Sequence, residues 1–404
     1  MRSVEEHQRV VADLIAARPA ATVGLGEADG LVFAADVVAT LPLPVFDNSA
    51  MDGYAVYAGD VKTASAEAPV TLPVAEDIPA GRTDLLTLAP GTAHRIMTGA
   101  PVPARADAVV PVEATDAGTD VVVITAAPKP GQHIRRAGED VSAGTTVLQT
   151  GQVVTPAALG LLAALGLARL QAIPRQRVLV ISTGSELVPP GTPLLPGQIY
   201  ESNAVMLAAA VRDAGAEVVA VVTTSDDVRQ FAAALDEHAG GADLILTSGG
   251  VSAGAYEVVK DALASGTGQV EFVKVAMQPG MPQGAGTVNG IPIVTLPGNP
   301  VSALVSFEVF VRPALRAAMG LPPHRIRRTA SLAEAVTSPS GKRQFRRGVY
   351  DAGTLGSPVG TVTSYGPPAS HHLRWLASAN CLLDIGADVT ELAVGQQVTV
   401  WDLS

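Results

Sequence analysis

At 404 residues, 48% hydrophobic and only 16% charged, with Gly 40 and Pro 30, the chain is too long for one ordinary core and too apolar for disorder, so three or four domains of roughly 100–200 residues are expected. A net charge of -11 leaves no basic surplus to neutralise phosphates, which argues against a general nucleic-acid or anionic-membrane binder. The lone cysteine, Cys381, rules out an intrachain disulfide and a Cys-rich metal site and fits a reducing, cytoplasmic compartment.

From the N-terminus, Val4, Val11, Leu14 and Ile15 recur at helical spacing as far as Arg18-Pro19, which predicts an amphipathic helix over about residues 4–17. Glu5, Glu6 and Asp13 within it are unlike the basic-then-apolar layout of a secretory signal, so the segment reads as mature. Residues 23–45 break into short β-like pieces. The Asp, Asn, Ser and Gly content of residues 47–53 predicts a loop, with a strand entered at Tyr54. Between residues 60 and 150, short Val, Thr and Ile runs separated by Pro-Gly signals predict a small all-β domain. Thr155-Pro156 then opens a helix as N-cap and first-turn proline, and the unit closes at Ile173-Pro174. Its uncharged run Ala157–Ala168 falls short of the roughly 20 residues that a membrane helix needs, and reads as a buried helix.

After Arg177 strands and helices alternate. Strands are predicted at 178–182, 217–223, 243–247 and 291–296, and helices at about 202–213, 227–239, 255–264 and 302–319. Such alternation implies βαβ units and a parallel sheet covered on both faces. Past Pro322-Pro323 the helical pattern gives way to short β runs such as Gln397 to Trp401. The expected fold class is α/β and β multidomain. It has a central doubly wound, mostly parallel α/β domain (174–322), two small β domains (46–144 and 323–404) and a discontinuous helical or mixed domain (1–45 with 145–173).

Three of the predicted strands end in Gly turns: Thr183-Gly184-Ser185-Glu186, Ser248-Gly249-Gly250 with Ser252 beyond it, and Pro297-Gly298-Asn299-Pro300. Together they bring N–H groups to the carboxyl edge of a parallel sheet, where open α/β sheets bind ligands. Neither a dinucleotide fingerprint nor a P-loop is present. Glu186, Asp226, Asp227 and Glu257 lie beside these turns. Two readings stand for Asp226-Asp227: helix capping, or a set of carboxylates holding Mg²⁺ against phosphate oxygens. Asp52, Thr98 and Asp140 fall in loops of the other domains, and the charged turn from Arg135 to Asp140 reads as a solvated surface. Lys260, Lys274, Lys342, Arg343, Arg346 and Arg347 are the local cations of an acidic chain, suited either to an anion site or, more commonly, to a solvated basic face.

Five stretches carry a family resemblance: Phe46-Asp-Asn-Ser-Ala-Met-Asp-Gly-Tyr-Ala-Val56, Arg95-Ile-Met-Thr-Gly-Ala-Pro101, Ile134-Arg-Arg-Ala-Gly-Glu-Asp140, Ser248-Gly-Gly-Val-Ser252 and Leu296-Pro-Gly-Asn-Pro-Val-Ser302. In that order they resemble the signatures of the MoeA proteins, the molybdopterin molybdenumtransferases related to the gephyrin C-terminal domain. The resemblance spans essentially the whole chain. It implies molybdate insertion into adenylylated molybdopterin, with Mg²⁺-assisted release of AMP, in molybdenum cofactor synthesis. It also implies a cytoplasmic homodimer of four-domain subunits, with the discontinuous N-terminal domain serving dimerisation and the molybdopterin adenylyltransferase as a partner. By motif, Asp52, Thr98, Asp140, Glu186 and Lys274 take catalytic positions. Ser248, Gly249, Gly250, Ser252, Pro297, Gly298, Asn299, Pro300, Arg347 and Ser370 take substrate positions, and Glu186, Asp226, Asp227 and Glu257 those of the metal.

Two departures from the family pattern stand out. Glu257 replaces a frequent Asp, and the family's Lys-Pro-Gly-Lys-Pro turn reads Gln278-Pro-Gly-Met-Pro282, which removes two ammonium charges. A non-catalytic pterin-binding or scaffolding protein of the same architecture is the alternative. A phosphate-binding α/β enzyme of another pathway is a further rival, and it predicts no role for the loop at 46–56.

Overall fold

The structure, a computed structural model, describes residues 1–249, 268–353 and 359–403. The chain divides into two compact units. One comprises Thr22–Asp29 and Phe33–Leu170, and the other Met1–Ala21, Gly30–Val32 and Gln171–Ser404.

In the first unit the Val, Thr and Ile runs become a five-stranded sheet, β1 (Gly53–Val56), β2 (Val70–Ile78), β3 (Ala93–Ile96), β4 (Ala108–Pro111) and β5 (Val121–Ile124), in the order β4-β1-β3-β2-β5. Tyr54, Val56, Leu72, Val110, Val122 and Ile124 bury one continuous core, the fate expected of β-branched and aromatic residues on a pleated face. The helix Pro156–Ala164 starts as its sequence dictates, with Pro156 in the first turn and Thr155 Oγ1 accepting the Ala158 N–H at 3.2 Å.

The second unit opens with α1 (Val4–Leu14), capped by a reciprocal Ser3–Glu6 box. It is shorter than the predicted 4–17 because Ile15 is already extended. Arg18 donates to Arg175 O at 2.7 Å, and Gln176 donates to Ala16 O at 3.0 Å. These contacts draw the chain out of the helix just before Pro19, a position where the helical conformation is disfavoured anyway.

The central sheet follows the predicted alternation: β6 (Arg177–Thr183), α2 (Asn203–Asp213), β7 (Glu217–Thr224), α3 (Val228–His238) and β8 (Leu244–Ser248). The helix predicted at 255–264 lies outside the described residues. Two strands, β9 (Gly268–Lys274) and β10 (Pro282–Val288), then precede β11 (Ile291–Leu296). The order is β7-β6-β8-β11-β10-β9, the first four parallel and the last two antiparallel. The edge hairpin β9–β10 was not expected from the sequence.

Successive residues of β6 and β8 are buried on both faces. Val178, Val180, Leu244 and Leu246 face one apolar cluster, and Leu179, Ile181 and Ile245 face another containing Phe231 of α3. The chain leaves β6 through α2 to one neighbour and returns through α3 to the other. The carboxyl ends of β6 and β8 therefore flank the topological switch point.

After β11 a long helix covers residues 300–318, built from Pro300–Ser306, a π-helical turn Phe307–Val311 and Arg312–Ala318; it is designated α4. Beyond it β12 (Arg327–Leu332), β13 (Arg343–Asp351), β14 (Gly360–Ser364), β15 (Cys381–Ile385) and β16 (Gln397–Asp402) close into a barrel through a β13–β15 pairing. The helical pattern does not vanish there, since Leu373–Ala377 forms one short helix. Gln278, expected to begin a turn, instead forms a short strand with Met277 that pairs with Arg343 and Gln344 of β13.

Candidate functional site

Strands β6, β8 and β11 are parallel neighbours aligned at Ser182, Ser248 and Leu296, so three turns leave the sheet along one edge. At the first turn the Gly184 N–H donates to Thr224 O at 3.0 Å. Ser185 and Asp226 exchange hydrogen bonds: the Ser185 N–H reaches Asp226 Oδ2 at 3.2 Å, and the Asp226 N–H reaches Ser185 Oγ at 3.1 Å. The ends of β6 and β7 are thereby stitched together, which places the exposed carboxylates Glu186 and Asp226 on adjoining loops. Asp227 has another task, because its Oδ1 accepts the Arg229 and Gln230 N–H groups at 2.9 and 3.0 Å as the N-cap of α3.

The second turn requires glycine. Gly249 has φ +89°, and a Cβ there would sit 2.6 Å from Thr183 O. Its N–H donates to Leu296 O at 3.1 Å. Gly250, Ser252 and Glu257 lie outside the described residues. At the third turn Pro297 is buried while Gly298 and Asn299 are exposed, and Pro300 starts α4. The Val301 N–H donates to Ser370 O at 3.1 Å, which brings Ser370 to the beginning of that helix.

Between the second and third turns stands Asn203, the first residue of α2. Its Nδ2 donates to Ser248 Oγ at 2.8 Å and to Gly298 O at 2.6 Å. The sequence reading missed it. The available signal was an asparagine just past a Ser at a helix start, which resembles ordinary capping.

A pocket opens beside α4, lined by Gln278, Pro279, Val301, Gln344, Arg346 and Arg347. Arg347 is buried and donates to the carbonyls of His372, at 2.9 Å, and Pro367. Neither arginine makes a carboxylate ion pair among the described residues. Burial presses both guanidinium pKa values below their ordinary value, and for Arg347 the adjacent Arg346 charge adds to it. Arg346 and Arg347 are successive residues of β13, opposite Leu383 and Leu382 of different apolar clusters, so they point to opposite faces, and the Glu334 charge partly offsets that of Arg346. Gln344 Nε2 donates to Gln278 Oε1 at 3.2 Å, so the family's ammonium position is held here by an amide pair. Lys274 is exposed at the end of β9, with its backbone O accepting the Arg2 N–H at 2.9 Å.

In the other unit three distant stretches meet. Asp52 Oδ1 accepts both the Thr98 N–H and the Thr98 Oγ1–H at 2.7 Å. The backbone N–H bond, then the hydroxyl, holds its carboxyl below the usual range. Ile134 and Arg135 pair with Ser49 and Asn48, and Arg136 reaches Asp47 at 2.6 Å. The charged turn is exposed, as expected of a solvated surface, and is also joined to the loop at 46–52, with Asp140 tied to Leu43 O by its N–H at 3.0 Å.

For Mg²⁺ the donor chemistry fits: Glu186 and Asp226 supply hard carboxylate oxygens on adjoining loops. Among the described residues no group of three or more His, Cys, Asp or Glu side chains gathers as a metal-holding set.

Fold and site together define a multidomain protein built around a doubly wound α/β domain, with glycine-containing turns along the sheet edge at its switch point. Residues 2–166 match the MoeA N-terminal region (domain I and II), residues 179–317 a probable molybdopterin binding domain and residues 329–403 the MoeA C-terminal region (domain IV). The chain is 70% identical over 410 residues to molybdopterin molybdenumtransferase 2 of Mycobacterium tuberculosis, covering 100% of both. It is 37% identical over 383 residues to the molybdopterin molybdenumtransferase of Haemophilus influenzae, covering 93% of this chain and 92% of that protein. The crystal structure of the molybdopterin biosynthesis moea protein from Pyrococcus horikosii superposes with a TM-score of 0.79 at 29% identity, covering 100% of this chain and 99% of that one. The chain belongs to the MoeA family.

Proposed function

We propose that this protein is a molybdopterin molybdenumtransferase that inserts molybdate into adenylylated molybdopterin and releases AMP. The reading is carried by three adjacent parallel strands that all end in backbone-lined turns at the switch point, in a chain of this family. The turns and the Gly249 cradle receive the phosphate-bearing ligand, and the buried Arg347 supplies positive charge close to the start of α4. Displacement at phosphorus demands mainly charge neutralisation and positioning. A divalent cation supplies that neutralisation when bound, and Glu186 with Asp226 would hold it, leaving Asp227 to cap α3. Asp52, fixed by Thr98, and Asp140 complete the set of residues the reaction requires. The four-domain division, the homodimer, the cytoplasmic setting and a partnership with the molybdopterin adenylyltransferase belong to the same proposal.

The test is Asp52→Ala, assayed for molybdate-dependent AMP release. We expect the rate to fall by about 100-fold, the scale of losing a positioned catalytic group. An unchanged rate removes the site as placed.

A further inference from the structure

We infer that Asn203 is a positioning residue which sets the direction of a hydrogen-bond donor aimed at an oxyanion group of the substrate, the Asn299 N–H. The inference rests on the ligand site proposed above and deepens it.

Asn203 is 8% exposed, and both of its N–H bonds are committed, to Ser248 Oγ at 2.8 Å and Gly298 O at 2.6 Å. Its Oδ1 is buried without a partner. The Gly298 carbonyl can only accept, so the nitrogen must face it, and exchanging the amide's O and N would not relieve Oδ1. A buried amide with an orphaned carbonyl is locally unfavourable, by comparison with an apolar residue of the same size. Such local conflicts concentrate where function demands them.

The consequence follows from peptide geometry. In a planar trans peptide the C=O and the next N–H point in opposite directions. Holding Gly298 O inward against Asn203 therefore turns the Asn299 N–H outward. Gly298 and Asn299 are exposed, and that N–H has no acceptor among the described residues. Gly298 has ordinary space around it, the nearest atom to a Cβ being Gly249 Cα at 3.6 Å. A glycine so unconstrained would let this peptide rotate if nothing held it. Asn203 also reaches the neighbouring turn. By donating to Ser248 Oγ, a hydroxyl that is itself buried, it anchors its amide to the end of β8 and fixes the direction of the second N–H toward Gly298 O. One side chain thereby ties two turns together and orients the exposed Asn299 N–H, and the ligand such a donor suits is a phosphate-type oxygen.

The test compares AMP with adenosine as probes, by calorimetric titration of the full-length protein and of Asn203→Leu and Asn203→Asp. Leucine removes the amide at nearly constant volume, and aspartate keeps the shape but loses both N–H donors. If one variant fails to fold, as judged by its melting curve, the other carries the comparison. We expect AMP affinity to fall about tenfold or more, the scale of losing a hydrogen bond to a charged group, while adenosine affinity stays within about twofold. Equal losses for both probes would make Asn203 merely structural and overturn the inference, as would unchanged AMP binding. If the unaltered protein itself does not prefer AMP to adenosine, the phosphate site of the proposed function is wrong, and this inference goes with it.

Discussion

At Asp52 a single side chain shows how a loop residue becomes chemically defined. Both donors of Thr98 reach one carboxylate oxygen, Oδ1, at 2.7 Å, and the residue is otherwise exposed. The backbone bond is the larger cause of its lowered pKa and the hydroxyl the next. Thr98→Val removes only the hydroxyl, so the Asp52 pKa should rise part of the way back toward its ordinary value without reaching it. An NMR titration of the Asp52 carboxyl carbon measures this directly. The sign is fixed: the folded-state pKa is depressed, so the contribution to stability is present above the unfolded-state pKa and is lost as pH falls through the folded one. A pKa in Thr98→Val equal to that of the parent protein would show that the hydroxyl bond does not form in solution. The same residue-scale view clarifies the departures at Gln278 and Met281. Gln278 does not leave a hole where an ammonium would stand, because its Oε1 is engaged by Gln344, and the buried Arg347 supplies positive charge nearby.

Helices and strands of the α/β domain were legible in the sequence because their signals were local. Asp227 caps α3, Thr155-Pro156 opens its helix, and β6 and β8 are short apolar runs ending at glycine. The hairpin β9–β10 was not legible, since Pro282-Gln-Gly-Ala-Gly-Thr-Val288 has the composition of a loop. Its glycines are there for packing: a Cβ on Gly284 would meet the Phe272 ring at 2.9 Å, and one on Gly286 the Gln269 carbonyl at 1.9 Å. The turn residues of the candidate site could be read as a set, but Asn203 could not, because its role depends on two turns 45 and 95 residues away in sequence. A similar long-range bond fixes α4. Glu308, on the π-helical turn and 4% exposed, is held by Arg325 through two contacts of 3.0 Å, and Arg325 also reaches Asp213 of α2 at 2.6 Å. Glu308 also lies 3.7 Å from Arg312, so removing Arg325 leaves it partly compensated, at a cost of about 1–3 kcal/mol. Arg325→Met should lose about that much stability in urea unfolding, and the double substitution Arg325→Met with Glu308→Leu should recover part of it. A double variant as unstable as the sum of the two singles would show that the pair is not coupled.

For the molecule as a whole, acidity and anion binding coexist because charge is distributed unevenly. With a net charge of -11 the general surface repels anions, so an anionic ligand is drawn where a cation lacks an acidic partner, as at Arg347. Cys381 offers a measure of how firmly the C-terminal part of this framework is closed. The thiol lies in the core of the barrel formed by β12 to β16, with Leu332, Val362, Leu383 and Val400 around it. Burial first, and the charge of Asp402 second, push its pKa up to about 12. The reactive thiolate is therefore scarce at pH 8, and the sulfur is also inaccessible unless the barrel opens. In native buffer at pH 8 a thiol reagent such as iodoacetamide should label Cys381 far more slowly than it labels the urea-unfolded chain. Labelling across a urea series should then follow the loss of the barrel, because opening limits access. Stoichiometric labelling within minutes under native conditions would mean that the barrel opens readily, and that the wall of the pocket contributed by β13 is not held in place by closure.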